Sequence, residues 1–337
     1  MIDIRSDTVT KPSPAMRQAM ATAEVGDDVL DGDPTVRRLQ ERTAELLGME
    51  RALFFPTGTM ANQAAIAALT RPGTEIFVHD DAHIVNWEMA GAAALSGVQV
   101  RIVRGALRMT EPTLLGAIRH PSVDAPRASL LCLENTHAGS GGMVTPLDEL
   151  TRLATIGRSA GTRIFLDGAR LWNASAATGT PLKSFAAVAD LTMVSYSKGL
   201  GAPVGAAVVG PATLMEAVAE ARKRFGGGMR QSGIIAAGAL YGMEHNMARL
   251  EEDHAHAKYF AGIVSAAPDA KVVAPDTNIV MIDLPERMPA ESLAARAEQR
   301  GVKVSVWHAS RVRAVMHLDV SRAQVEHAAT VLRDLLL

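Results

Sequence analysis

The chain has 337 residues, with 34 Lys and Arg against 36 Asp and Glu, which gives a formal net charge of −2. This length predicts about two domains, while the near-neutral charge and the aromatic content of 4% argue against nucleic acid as a main partner. A single cysteine excludes an internal disulfide, and the first residues lack the apolar core of a secretion signal. We therefore expect a cytoplasmic protein that does not span a membrane.

Short apolar runs alternate with helical patterns over the first two thirds of the chain. We predict strands at Ala52–Pro56, Glu75–His79, Val98–Val103, Ser129–Asn135, Arg163–Gly168, Leu191–Ser197 and Ala206–Gly210. Helices are predicted between Asp33 and Gly48 and at Gly58–Thr70, Leu147–Ala160 and Ala212–Phe225. Runs that are apolar throughout are typical of strands buried on both faces. This order predicts an α/β fold with a mainly parallel central sheet covered on both sides.

The pattern changes near residue 245. A charged helix at Ala248–Ser265, whose His254 and His256 we expect to be solvated, precedes a second set of elements. These are strands at Lys271–Ala274, Asn278–Leu284, Val302–His308 and Arg313–Leu318, a helix at Ala290–Gly301 and a last helix capped by Ser321 with Gln324. The order predicts a larger domain over residues 1–245 and a smaller α/β domain over residues 246–337.

A lysine follows the predicted strand at Leu191–Ser197. Lys198 precedes Gly199, Gly201 and Gly205, small residues that would let the backbone approach a flat ligand. A lysine fixed between a strand end and a tight loop can form a Schiff base with an aldehyde cofactor. The same pattern also fits a solvated loop lysine.

Two further strand ends carry groups that suit such a cofactor. Asp167 lies at the end of its strand, where ligands bind in open α/β sheets, and its carboxylate could keep the ring nitrogen of pyridoxal phosphate protonated. Thr57, Gly58 and Thr59 join a strand to a helix whose free N–H groups could hold a phosphate. Taken alone, Asp167 would more often be a helix cap. The segment from Thr57 to Thr59 would at least as often be an ordinary turn between a strand and a helix, capped by a threonine.

The segment from His79 to His83 leaves three interpretations open. His83 could stack on a flat cofactor, or His79, Asp81 and His83 could bind a metal ion, or the loop could have no chemical role. Likewise, Lys223 and Arg230 flank a glycine run that could bind an anion or only separate two helices.

Taken together, these segments resemble the L-threonine aldolases, which are pyridoxal-phosphate enzymes of the aspartate aminotransferase-like fold type I. The likeness covers nearly the whole chain. The segments that carry it are Ile2–Thr10, Gly26–Val29, Pro56–Thr59, Leu133–His137, Asp167–Arg170, Ser197–Gly205, Gly226–Gly233 and His317–Ser321. The resemblance implies cleavage of L-threonine, L-allo-threonine and related β-hydroxy-α-amino acids to glycine and an aldehyde, by a homotetramer built as a dimer of dimers with no metal.

The resemblance also implies roles for individual residues. Lys198 would carry the cofactor, Asp167 would pair with its ring nitrogen, His83 would stack on its ring, and Gly58 and Thr59 would bind its phosphate. The residues implied to hold the substrate carboxylate are Ser6, Arg170 and Arg313, and those implied to bind the cofactor further are Arg170, Lys223 and Arg230, the last two across a subunit interface. His83 and Lys198 are alternative bases for the β-hydroxyl proton.

Other reactions stay open at this stage. The same cofactor also supports transamination, β-elimination and racemisation, and a metal-dependent hydrolase would use His79, Asp81 and His83. The chain departs from the family pattern on the substrate side: Leu30 and Asp31 replace the usual Tyr-Gly, and Met316 replaces a common threonine. The cofactor prediction is unaffected, whereas the preferred β-substituent is left open.

Overall fold

The computed structural model describes residues 1–105, 107–120 and 122–337. The strands are β1 Ile2–Asp3, β2 Arg51–Phe55, β3 Glu75–His79, β4 Gln99–Val103, β5 Ala128–Glu134, β6 Arg163–Gly168, β7 Leu191–Ser195, β8 Ala206–Gly210, β9 Lys271–Val272, β10 Ile279–Asp283, β11 Val302–Lys303, β12 Ser305–His308 and β13 Arg311–Val315. The helices are α1 Pro14–Ala21, α2 Pro34–Leu47, α3 Gly58–Leu69, α4 His83–Asn86, α5 Gly91–Ser96, α6 Glu111–Ala117, α7 Leu147–Ser159, α8 Leu171–Thr178, α9 Leu182–Ala186, α10 Ala212–Arg224, α11 Gly233–His245, α12 Leu250–Val264, α13 Ala290–Gln299 and α14 Arg322–Leu336, with a 3₁₀ turn at Asp7–Val9. Within the described ranges, every helix is too short or too polar to cross a lipid bilayer.

A seven-stranded sheet forms the centre of the molecule, in the order β2-β8-β7-β6-β5-β3-β4. β8 runs antiparallel to both β2 and β7, and the other neighbouring pairs are parallel. Successive side chains enter different cores: Phe54 packs in one and Phe55 in the other. The predicted mainly parallel sheet, buried on both faces, is confirmed.

The carboxyl ends of three parallel strands bring polar groups together at one edge of this sheet. Glu134 at the end of β5 lies in register with Asp167 on β6, and Asp167 lies opposite Met193 on β7. The chain leaves β7 through Lys198. Because neighbouring parallel strands end at the same edge, residues distant in sequence become neighbours there.

A second hydrophobic core lies under a four-stranded antiparallel sheet, in the order β12-β13-β10-β9. Phe260, Val280 and Leu332 are fully buried in it. The N-terminus joins this part, since β1 pairs with β11 and Ile4 is buried in the same core. The boundary predicted near residue 245 falls between α11 and α12, and we retain that division as a proposal.

The strand predicted at Val302–His308 is divided into two. Its first residues, β11, pair parallel with β1, whereas β12 pairs antiparallel with β13 in the other sheet. The break exists because one segment serves two partners, a property that periodicity cannot show.

The helix ends predicted at Asp33, Gly48 and Ser321 are present, and Ser13 caps α1 in the same way as Asp33 caps α2. Ser13 and Asp33 accept hydrogen bonds from the first-turn N–H groups of α1 and α2, and Gly48 ends α2 with a φ of 62°. Ser321 and Gln324 form the expected capping box on α14. These local signals fixed helix ends correctly because each depends on only a few neighbouring residues.

The expectation that His254 and His256 are solvated was wrong, and the glycines after Lys198 have a packing role beside the predicted one. His254 and His256 are buried, with 6% and 5% exposure, because α12 packs against both α8 and α14 and therefore lacks a free polar face. The glycines after Lys198 serve packing within the protein: a Cβ at Gly201 would lie 2.5 Å from Leu318, and one at Gly205 would lie 2.7 Å from Phe54. Both also have positive φ angles, of 73° and 119°.

Candidate active site

Lys198 lies half-buried just beyond β7, facing a mixed set of charges. Burial lowers the pKa of its amine to about 8, and the positive charge of Arg170 acts in the same direction. The carboxylates of Asp167, Asp7 and Glu134 oppose this shift. An amine with a pKa near 8 is partly neutral at physiological pH and can attack an aldehyde, as a solvated lysine cannot to the same extent.

Asp167 is buried at the end of β6 with both carboxylate oxygens occupied. Oδ2 accepts a hydrogen bond from Asn62 Nδ2 at 2.8 Å, and Oδ1 accepts one from the Ala169 N–H at 3.0 Å. A buried carboxylate held in this way is a fixed negative charge, suited to a protonated ring nitrogen.

The start of α3 offers free hydrogen-bond donors. Thr57 caps the helix by accepting a bond from the Met60 N–H at 3.2 Å. The N–H groups of Gly58 and Thr59 make no hydrogen bond within the part of the chain that the structure describes. Among the described residues, only Met193 would lie within 4 Å of a Cβ at Gly58, at 3.7 Å. Free N–H groups at a helix N-terminus, with open space before them, suit a phosphate.

His83 begins α4 and is oriented by a buried carboxylate. Its Nδ1 lies 2.8 Å from Oε1 of Glu88. Glu88 also accepts hydrogen bonds from Asn62 at Oε1 and from Gln63 at Oε2. Burial alone would lower the pKa of His83, but the hydrogen bond to Glu88 and the charge of Asp167 outweigh it, so that the pKa is raised. With Nδ1 donating to Glu88, Nε2 is the ring atom left to exchange a proton.

Glu134 holds the backbone on both sides of the site. Its Oε2 accepts a bond from the His83 N–H at 2.9 Å and its Oε1 accepts one from the Ala138 N–H at 2.8 Å. Burial and the neighbouring charge of Asp167 raise its pKa to about 7. Glu134 therefore fixes the position of the His83 backbone.

Arg170 is paired with a carboxylate that the sequence interpretation missed. Its Nε and Nη2 donate to the two oxygens of Asp7 at 2.8 and 2.6 Å, and Asn278 donates to the same carboxylate at 3.2 Å. Burial alone would raise the pKa of Asp7, but Arg170 and Lys198 hold it well below its usual range. Arg170 would therefore bind the substrate carboxylate while its Nε and Nη2 remain bound to Asp7.

Ser6 and Arg313 lie in the same region. Ser6 caps the 3₁₀ turn by accepting a hydrogen bond from the Thr8 N–H at 3.2 Å. The Arg313 guanidinium lies 4.7 Å from the centre of the Trp307 ring. Burial and the charge of Arg170 lower the pKa of Arg313 to about 10. Two guanidinium groups that repel each other in this way favour an anion between them.

Lys223 and Arg230 lie on the surface. Arg230 donates to both oxygens of Asp27 at 3.1 Å, and Lys223 is exposed. The glycine run between them packs against the start of α3, where a Cβ at Gly227 would lie 2.5 Å from Met60. Their role at the phosphate of another subunit remains a prediction.

The histidine segment does not form the alternative metal site. His79 turns away from His83 and packs edge-on against His137, with ring centres 4.6 Å apart. Among the described residues, the group that could hold an ion is His83, Glu88 and Asp167, which excludes His79 and Asp81. The metal-dependent hydrolase is therefore not supported.

Sequence reasoning missed Asp7, Asn62 and Glu88. Glu88 stands five positions after His83 and beyond the end of α4 at Asn86, so helical spacing gave no signal for this pair. Asp7 meets Arg170 across 163 positions, so no local pattern could have indicated the pair.

Comparisons with known proteins agree with this geometry. The family model described as beta-eliminating lyase matches residues 3–287. A low-specificity L-threonine aldolase of Escherichia coli K12 is 41% identical over 98% of this chain and 97% of its own length. The low-specificity L-threonine aldolase 1 of Arabidopsis thaliana is 38% identical over 100% of this chain and 96% of its own length.

The chain belongs to the beta-eliminating lyase family, among the low-specificity L-threonine aldolases. The predicted membership is thus confirmed. A solved structure titled as a putative L-allo-threonine aldolase from Listeria monocytogenes superimposes with a TM-score of 0.80 at 19% identity, covering 99% of this chain and 96% of the other. That likeness concerns the fold, and it confirms the predicted α/β class of fold-type-I enzymes.

The aldolase family implies pyridoxal phosphate, and the residues present fit that group. Lys198 supplies an amine with a lowered pKa, Asp167 a buried carboxylate, and Gly58 and Thr59 two unpaired N–H donors with open space before them. These are the three chemical demands of the cofactor's aldehyde, ring nitrogen and phosphate.

Proposed function

We propose that this protein is a pyridoxal-phosphate-dependent aldolase that cleaves L-threonine, L-allo-threonine and related β-hydroxy-α-amino acids to glycine and an aldehyde. The observation that carries the proposal is the set formed by Lys198, Asp167 and the free N–H groups of Gly58 and Thr59 at one sheet edge. Full-length similarity to relatives named low-specificity L-threonine aldolase supports the choice of reaction.

Each part of the cofactor would meet a different element of the fold. Lys198 would hold its aldehyde carbon, Asp167 its protonated ring nitrogen, and Gly58 and Thr59 its phosphate, while His83 would lie against its ring. When bound, pyridoxal phosphate withdraws electrons from the Cα of an attached amino acid. The fixed charge of Asp167 would maintain that withdrawal by keeping the ring nitrogen protonated.

The substrate carboxylate would bind between two arginines. Arg313 has a guanidinium whose Nε lacks a hydrogen-bond partner among the described residues, and Ser6 and Arg170 lie beside it. Asp7 holds Arg170 in a fixed orientation through two hydrogen bonds. A planar two-point contact at this position would set the rotation about Cα and so decide which bond of the substrate is broken.

His83 would remove the proton of the β-hydroxyl through Nε2. Glu88 holds the ring through Nδ1 and stabilises the charged form that results. As the Cα–Cβ bond breaks, the electron pair stays on Cα, which later takes a proton to give glycine, while the β-carbon leaves as the aldehyde. Lys198 is the alternative base. Because a Lys198 variant also loses the cofactor, the choice is tested at Glu88, whose replacement changes the pKa of His83.

The assembly and compartment belong to the same proposal. Leu30 and Met89 expose 74% and 94% of their surface, and a homotetramer would cover apolar side chains of this kind. Cys132, the single cysteine, is buried and free, which suits a reducing cytoplasm. Native mass spectrometry and light scattering would give the subunit number, and a monomer at micromolar concentration would contradict the assembly.

The deciding experiment combines a spectrum with product analysis. Purified protein mixed with pyridoxal phosphate should gain a visible to near-ultraviolet band that borohydride fixes onto Lys198, as peptide mass spectrometry would show. L-threonine should then yield glycine and acetaldehyde. A protein that stays colourless would refute the cofactor, and 2-oxobutanoate as product would replace the aldol cleavage by elimination. Lys198→Ala should lose both band and turnover.

A further inference from the structure

A cavity of about 520 Å³ lies beside the candidate active site, and none of the residues assigned above to the cofactor line it. Its walls include His79, Asp80, Asp81, Trp87, Trp307 and His308. Pockets of about 300–1,000 Å³ hold ligands of substantial size. The methyl group that threonine carries on its β-carbon would leave most of this space empty.

Two of the three tryptophans in the chain meet in this cavity. The rings of Trp87 and Trp307 lie 5.2 Å apart and are tilted by 43°. The two tryptophans come from separate parts of the fold: Trp87 follows the last residue of α4, and Trp307 lies in β12. Trp87 keeps 51% of its surface exposed. In a chain with 4% aromatic residues, this pairing on an open wall is a specific feature.

The backbone is irregular at both tryptophans. Trp307 sits at a β-bulge, since the register of β12 against β13 shifts between Val306 and His308. Behind Trp87, Met89 and Ala90 both adopt positive φ angles, of 53° and 56°. Bulges redirect side chains, and consecutive left-handed residues other than glycine are costly and occur mainly at functional sites. These two backbone irregularities therefore set the positions of the Trp87 and Trp307 side chains.

Another part of the cavity lining is acidic. Asn86 ties the two carboxylate residues together, donating to the Asp80 carbonyl at 3.0 Å and to Asp81 Oδ1 at 3.4 Å. Among the residues that the structure describes, no Lys or Arg forms an ion pair with Asp80 or Asp81; Asp80 lies 3.2 Å from His79 Nε2. The nearby guanidinium of Arg311 is paired with Asp283. Asp81 acts on Arg311 only through space, as one of the charges that raise its pKa, so among the described residues no direct ion pair with a Lys or Arg neutralises these carboxylates.

The cavity adjoins the side of the site where the β-carbon would lie. Trp307 stacks under Arg313, the proposed partner of the substrate carboxylate, at 4.7 Å. Trp87 follows His83, the proposed base for the β-hydroxyl, by one turn of α4. A substrate held by these two residues would direct its β-substituent toward the tryptophans.

We infer that this cavity binds the β-substituent of the substrate and favours a bulky group ending in a cation, such as a substituted or quaternary ammonium. Aromatic faces and carboxylates together are the usual environment of such cations. The assignment of the cavity to a β-substituent rests on the proposed aldolase reaction, whereas cation binding in the cavity can be measured without that reaction. The preferred substrates would then be cationic β-hydroxy-α-amino acids, with threonine as a small one.

The first test measures binding to the cofactor-free protein by tryptophan fluorescence. Benzyltrimethylammonium should quench the signal with a Kd of about 1–10 mM, whereas the neutral N,N-dimethylbenzamide should bind at least about fivefold more weakly. Asp80→Asn and Asp81→Asn should remove this preference. Glu291→Gln is the matched control, because it removes an exposed carboxylate from a different surface. Equal binding of the two compounds, or a preference that survives both Asp variants, would overturn the cation site.

The second test uses the loaded enzyme in the direction of synthesis. A bond forms between Cα of glycine and the aldehyde carbon, Cα loses a proton, the carbonyl oxygen gains one, and no oxidant is needed. The aldehydes are 4-(trimethylammoniomethyl)benzaldehyde, its neutral isostere 4-neopentylbenzaldehyde, and acetaldehyde. The ratio of kcat/KM between the first two should fall about fivefold or more in Asp80→Asn, and it should also fall in wild type at high salt. Comparing variant with wild type cancels the intrinsic reactivities of the aldehydes.

The outcomes separate the two proposals. If acetaldehyde and glycine react but the ratio is the same in wild type, Asp80→Asn and Glu291→Gln, the substrate class is wrong and the aldolase stands. If no aldehyde reacts and threonine is not cleaved, the aldolase proposal fails, and the fluorescence test still decides whether the cavity binds cations.

Discussion

The contribution of the buried Asp7–Arg170 pair to stability can be compared with that of an exposed pair that makes the same type of contact. Asp7 is fully buried, the Arg170 side chain is 6% exposed, and two hydrogen bonds of 2.8 and 2.6 Å join them. Asp3 and Arg5 form the same two-point contact at 2.9 and 2.5 Å on the surface, with 28% and 48% exposure. The two pairs differ mainly in burial, so replacing each Asp by Asn isolates its effect.

We expect Asp7→Asn to lower the free energy of unfolding by about 3–5 kcal/mol, because it leaves the buried charge of Arg170 without a partner. Asp3→Asn should cost less than about 1 kcal/mol, since solvent screens the exposed pair. Urea unfolding of the cofactor-free proteins, followed by circular dichroism at one protein concentration, measures both values. Equal m-values would show that the same surface is exposed on unfolding.

The pH dependence of stability tests the sign of the effect that Asp7 has on the free energy of unfolding. The pKa of Asp7 is lowered in the folded state from an ordinary value of 3.8. Its stabilisation is therefore complete above about pH 4 and is lost as the pH falls further, so the gap between wild type and Asp7→Asn should narrow in acid. The reasoning would be refuted if Asp7→Asn cost no more than Asp3→Asn at pH 7, or if the gap widened in acid.

Three further predictions concern the cofactor, the base and the loop after Lys198. Capture of pyridoxal phosphate should speed up as the pH rises and level off above about pH 8, because burial lowers the pKa of Lys198 to about 8; stopped-flow absorbance that keeps rising to pH 10 would contradict it. Glu88→Gln should reduce kcat for threonine about 10- to 100-fold and move the acidic limb of its pH profile to lower pH, since Glu88 raises the pKa of His83; an unmoved limb would exclude His83 as the base. Gly205→Ala should lower the free energy of unfolding by about 3 kcal/mol, because its φ is 119° and the added Cβ would lie 2.7 Å from Phe54. Gly161→Ala should lower it by about 1 kcal/mol, because its φ is 83° but no described atom lies within 4 Å of the added Cβ. Equal shifts in the melting temperature of the two variants would show that the contact with Phe54 has no effect.

The sequence alone determined the elements and the edge of the sheet where chemistry occurs. Continuous apolar runs indicated buried parallel strands, and the residues after those runs had to share one edge, because neighbouring parallel strands end together. Lys198, Asp167 and the turn at Thr57–Thr59 were therefore identified as cofactor candidates before any contact was known. The resemblance to the aldolases indicated the reaction, because each motif that carries it is short and can be recognised from neighbouring residues alone.

Tertiary structure alone decided which distant groups meet and which are buried. Arg170 pairs with Asp7, Glu88 orients His83, and Trp87 meets Trp307, and none of these contacts has a pattern in the sequence. The burial of α12 likewise reversed the expectation for its histidines, since a helix with polar residues on several faces can still be enclosed by two neighbours. Burial sets the dielectric environment of each charge, so the pKa shifts that make Lys198 and His83 useful exist only once the chain has folded.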